Sequence, residues 1–148
     1  MTTVKHLKDS NLPPLRKKRS LYGSRAYLPA MLLSSLLGTY LDLLFTGKSM
    51  YAFPARPFAS IFSVNLLFTL VVLPAATGLF LMLIQRWSWL KRAVFILLLG
   101  LGAAVMEKQA EAVGLFVHSE EWSHLYTVAG YSLFLFAMAA FHDWFCEK

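Results

Sequence analysis

Glu107 and Glu111 stand one helical turn apart at the end of Ala93–Met106, a run dominated by Leu, Ile, Val and Phe. At that spacing two side chains share a helix face, and like charge with partial burial makes such a pair suited to holding or relaying a proton. Lys108 sits beside them, where it offsets that repulsion by pairing with Glu111 or extends its amine outward to water. Asp42, Asn65, His124, Thr127 and Tyr131 are further polar residues within or at the ends of apolar stretches, and Lys48, Arg56 and His118 lie in the connections. These groups allow three kinds of chemistry: mutual hydrogen bonding that locks packing, binding of a small ligand or ion, and general acid/base work by Glu107 or Glu111. Zinc would want His or Cys at helical spacing. His118 and His124 are six residues apart with a loop expected between them, so no metal centre is expected.

Four long apolar stretches must position these residues, at about 26–46, 60–84, 93–117 and 124–145. A bilayer core of ~30 Å needs about 20 apolar residues per helix. With 57% hydrophobic and 15% charged residues in 148, a soluble domain could not cover the apolar surface. The expected fold is all-α: an antiparallel bundle of four transmembrane helices over residues 26–148, preceded by a basic tail over residues 1–25.

Charge sets the orientation. Of the fourteen basic residues, seven precede the first stretch, three (Arg86, Lys91, Arg92) lie in the second connection and one, Lys148, ends the chain. Only Lys48 and Arg56 fall on the other side, with Glu120 and Glu121. The positive-inside rule then places both termini in the cytoplasm. A cleaved signal peptide is not expected, given the 25-residue basic leader and the length of the apolar stretch after it. The net charge of +6 is a topology signal. The tail is expected to touch anionic headgroups rather than nucleic acid. Trp87, Trp89, Trp122 and Trp144 mark the interfaces, Pro74 is expected to kink the second span, and the lone Cys146 precludes an intrachain disulfide.

An up-down bundle brings Asp42, Asn65, Glu107, Glu111, His124 and Tyr131 into one layer in its outer half, with Arg56 above it. The third stretch also carries Gly100, Ala103, Ala104 and Gly114 within about 100° of Glu107 and Glu111, a small-residue stripe that permits close helix approach. The expected function is non-enzymatic binding of a partner, lipid or small ligand through that layer, with transport requiring a homo-oligomer. The alternative is a small intramembrane enzyme acting on a lipid or isoprenoid-like substrate, with Glu107 or Glu111 as acid/base. No cofactor is identifiable.

Gly38-Thr39-Tyr40-Leu41-Asp42, Tyr51-Ala52-Phe53-Pro54-Ala55-Arg56-Pro57-Phe58, Ile61-Phe62-Ser63-Val64-Asn65-Leu66-Leu67-Phe68, Pro74, the Glu107/Glu111 pair and Trp122-Ser123-His124-Leu125-Tyr126 form a recognisable series. Over roughly residues 38–131 it resembles a family of small uncharacterised multi-pass membrane proteins from Gram-positive spore-forming bacteria. The resemblance implies a bacterial cell membrane and a helical bundle, and it brings no activity, substrate or cofactor. The basic tail lies outside it. Two prolines around Arg56 should make the first outer loop extended and stiff. Arg56 is then expected either to cap the layer through Asp42, Glu107 or Glu111, or to anchor the loop at the interface together with its aromatics.

Overall fold

A computed structural model describes residues 26–147, so the basic tail and the headgroup contact expected of it lie outside the described residues. The chain runs α1 (Leu28–Gly47), β1 (Tyr51–Ala52), a π-helical turn (Phe68–Val72) continuing into α2 (Leu73–Ile84), α3 (Trp89–Ala112), β2 (Val117–His118) and α4 (His124–Glu147). Among the described residues three helices, Leu28–Gly47, Trp89–Ala112 and His124–Cys146, are long and apolar enough to cross a membrane. The second stretch differs from expectation. Its apolar helix is Phe68–Ile84, 17 residues rather than the whole of 60–84. Asn65 explains the late start, since its Oδ1 accepts the Phe68 N–H at 3.2 Å and so caps the helix there.

Pro74 shapes the entry to α2. A proline ring clashes with the carbonyl four residues back in a regular α-helix. Directly before it the chain takes the wider π turn, in which the Leu73 N–H reaches Phe68 O. The expected distortion therefore takes the form of a π turn, a known way for a helix to absorb a local misfit.

Helix α1 packs chiefly on α2, and α3 on α4. Small residues set both approaches. Gly38 lies against the Leu73 side chain, and a Cβ on Gly100 would come within 2.8 Å of the Val128 carbonyl. Two buried hydroxyls are satisfied within their own helices, Ser34 donating to Met31 O (2.7 Å) and Thr77 to Leu73 O (2.9 Å). The core of Tyr27, Ala30, Phe80, Leu81, Ile84, Ile96 and Ala139 sits toward one end of the bundle. There Arg92 binds Asp143 at 2.6 Å and donates to the Ile84, Gln85 and Trp87 carbonyls that end α2. Outward, Leu32, Leu36 and Leu133 are about 70% exposed, as suits side chains facing lipid.

The opposite end is closed by a short ribbon. Strands β1 and β2 pair antiparallel with Tyr51 opposite His118 and Ala52 opposite Val117, and Ser119 N–H donates to Met50 O at 2.9 Å. The ribbon ties the segment after α1 to the segment between α3 and α4. Tyr51, Phe53, Phe116 and Trp122 pack edge-on and tilted around it, with ring centroids 5.1–5.8 Å apart.

Candidate functional site

The polar groups of the ribbon end are positioned by where three elements stop and start. Helix α3 ends just after Glu107 and Glu111, β2 delivers His118, and α4 opens with His124 and Thr127 one turn apart. The Ser123 hydroxyl accepts the Leu125 N–H at 3.3 Å, which fixes the start of α4. Because α3 and α4 approach closely at Gly100, Glu107 meets the first turn of α4 directly.

Glu107 is the hub. Its side chain is 11% exposed. Oε1 accepts Trp122 Nε1–H at 2.9 Å and faces His124 Nδ1 at 2.7 Å, while Oε2 accepts the Thr127 hydroxyl. Glu111 points to the rim, with Oε1 3.2 Å from His118 Nε2. His118 Nδ1 lies 2.8 Å from Ser119 O, and the two imidazoles meet edge-to-face at 5.3 Å. A carbonyl and a carboxylate only accept, so each Nδ1 carries the hydrogen. In the neutral rings both Nε2 atoms then hold lone pairs. One ligand-type atom from each of Glu111, His118 and His124 lies within 4.8 Å of the others. The sequence reading expected no metal centre here. The ribbon turns the linker back so that two histidines without helical spacing come together.

A second carboxylate lies beside this cluster. Tyr51 donates to Asp42 Oδ1 at 2.6 Å, and Asp42 Oδ2 is buried without a hydrogen-bond partner among the described residues. Burial, with the Asp42 carboxylate next, pushes the Tyr51 phenol well above its ordinary range, so it stays a neutral donor. Tyr131 is close enough for both Asp42 and Glu107 to act on it electrostatically.

Of the eight expected residues, Asp42, Glu107, Glu111, His124 and Tyr131 occupy this layer and three do not. Asn65 is spent on capping its helix. Lys108 is exposed and forms no ion pair among the described residues, because one residue past Glu107 turns it off the packed face. Arg56 does not cap the carboxylates. It donates to the carbonyls of Phe62 (2.6 Å), Phe53 (2.5 Å) and Ala59 (3.2 Å) in its own loop. The segment is not the extended loop expected of its prolines: residues 57–61 form a turn with Phe58 at φ 55, and its carbonyls surround the guanidinium, nearer than any acid. Arg56 and His118 also line an open cavity of ≈ 370 Å³ with Thr46, Ser49, Tyr51 and Ser63.

Nothing in the sequence marks Tyr51 as a site residue, and Trp122 reads there as an interface marker. Thr127 follows His124 by three residues, so helical spacing puts the two on one face, and that spacing is the available signal. The chain matches no protein-family model, no curated protein and no solved structure.

Proposed function

We propose that this chain is a four-span antiparallel membrane bundle of a bacterial cell membrane, with both termini cytoplasmic, that binds a small electropositive ligand in its outer polar layer. The β1–β2 pairing supports the fourth span. It holds the ends of α1 and α3 together, so the chain must return across the bundle between them, and Phe68–Ile84 is the apolar helix on that path. Seventeen residues give roughly 26 Å at 1.5 Å per residue, close to the ~30 Å core and within what local thinning absorbs. The excess of basic residues at the Arg92 end supports its cytoplasmic placement. Anionic headgroups remain the proposed partner of the tail, and a homo-oligomer the proposed assembly if the protein transports.

One observation carries the binding reading. Glu107, locked by three donors, holds His124 so that it shares one space with Glu111 and His118. That space presents a carboxylate and imidazole lone pairs but few donors, and acceptors so arranged call for a cation or a donor-rich ligand. The enzymatic alternative would rest on Glu111 alone, because Glu107 has both oxygens engaged.

Accessibility tests this reading. In a Cys146→Ser background, Glu111→Cys should react with a membrane-impermeant thiol reagent added outside intact cells. Labelling only after permeabilisation would overturn the outward-facing site.

A further inference from the structure

We propose that Glu111, His118 and His124 are the protein ligands of a divalent transition-metal ion, zinc by donor type, held at the outer end of the bundle. The inference rests on the binding reading above and names its ligand.

Glu111 Oε1 and His118 Nε2 stand 3.2 Å apart. With Nδ1–H committed to the Ser119 carbonyl, Nε2 of the neutral ring and the carboxylate oxygen turn lone pairs toward each other. Such a contact is repulsive unless a proton or a cation lies between. Ligands at ~2.0–2.2 Å from a tetrahedral zinc are separated by roughly 3.4 Å, close to this spacing. His124 completes the set within 4.8 Å, so an inward movement of at most about 1.4 Å brings it to that ligand spacing. Two imidazoles and a carboxylate are a donor set for zinc that leaves a fourth position open to water or to another ligand.

Outer contacts distinguish this cluster from a chance meeting of side chains. A metal-bound histidine ordinarily donates its other N–H to a carboxylate or a backbone carbonyl, which fixes the ring and raises its basicity. Both arrangements are present: His124 Nδ1 on Glu107 Oε1 at 2.7 Å, and His118 Nδ1 on Ser119 O at 2.8 Å. Glu107 is itself held by Trp122 and Thr127, so the orienting group is oriented in turn. The three ligands come from the end of α3, from β2 and from the start of α4. An ion there would clamp the α3–α4 linker against the ribbon.

The competing account is an imidazolium–carboxylate pair that binds no metal. It is separated by titration of the full-length protein, purified in detergent through a tag without histidine, stripped with chelator and then supplied with Zn²⁺ or Co²⁺. One ion per chain is expected, with cobalt giving the visible absorption of a low-symmetry site and zinc displacing it. Glu107→Gln should weaken binding by ~10–100-fold, and Glu111→Gln, His118→Gln or His124→Gln by more. Glu120→Gln, on the exposed linker, should change nothing. Helical circular dichroism and a monodisperse elution profile report whether each variant folds. Absence of stoichiometric uptake, or equal uptake by a folded His118→Gln/His124→Gln double variant, overturns the metal site. If Glu111→Cys labels from outside yet zinc is not taken up, the metal falls and the binding reading stands. If labelling fails, that reading falls whatever the metal result.

Discussion

Glu107 is a largely buried acid that organises the end of the bundle. Burying a carboxylate is costly unless it is paired and hydrogen-bonded, and here three side-chain donors offset that cost. The arrangement predicts how Glu107 and Arg56 behave together. Glu107→Ala should destabilise the detergent-solubilised protein by about 3 kcal/mol, since it strands three part-buried donors at ~1–3 kcal/mol each with some regained from water. Arg56→Ala should cost less, about 1–2 kcal/mol, because the carbonyls it leaves lie in an exposed loop open to water. The two effects should add within ~0.5 kcal/mol, as for sites that share no partner. A double-mutant cycle read by reversible unfolding checks this, and a coupling above 1 kcal/mol would restore Arg56 to the carboxylate layer.

At the scale of elements, the pairing of α3 with α4 is the step on which the site depends. Gly100 lets the two backbones come close enough for Glu107 to meet Thr127 and His124 seven residues or about two turns later. Adding a methyl there meets the Val128 carbonyl, which is backbone and cannot rotate away, together with the Ser132 hydroxyl. Gly100→Ala should therefore cost about 1–3 kcal/mol by overpacking. It should also lengthen the Glu107 contacts, seen as increased Trp122 fluorescence sensitivity to a soluble quencher. Gly102→Ala, with nothing near the added carbon, is the matched control and should be neutral or slightly stabilising. Equal behaviour of the two variants would remove the close approach as the positioning device.

Across the whole molecule, the two ends are built differently and should respond independently. The Arg92 end holds the apolar core and one ion pair that also caps α2, whereas the ribbon end holds the carboxylate–imidazole layer. Fifteen residues of α3 separate Arg92 from Glu107, roughly 22 Å at 1.5 Å per residue. Arg92→Ala should cost about 1–3 kcal/mol, mostly through the three carbonyls it leaves, since Asp143 is half exposed and the pair itself is screened. Combined with Glu107→Gln, the losses should be additive within ~0.5 kcal/mol, and zinc uptake at the far end should be unaffected. A metal affinity that shifts with Arg92→Ala would show instead that the bundle couples its ends.

The sequence by itself determined the three long apolar helices and the common layer of Asp42, Glu107, Glu111 and His124. Both follow from local periodicity and from the alternation of direction that a bundle imposes. It also placed His124 and Thr127 on one face, because helical spacing is a property of the chain alone. Tertiary structure decided the partners. Arg56 turned to carbonyls within its own loop because the turn at residues 57–61 brings them beside it, a choice between nearby acceptors that no spacing encodes. Asn65 was taken by a helix terminus for the same reason of proximity, and its capping is why the second helix begins at the resolved π turn rather than near residue 60. Tyr51 reached Asp42, and His118 reached Glu111, only because β1 and β2 pair across two distant connections. Hydrogen bonds are decided over about 3 Å, and whether Tyr51 comes that close to Asp42, or His118 to Glu111, is set by the packing of α3 on α4 and the two-residue ribbon, not by their order in the chain.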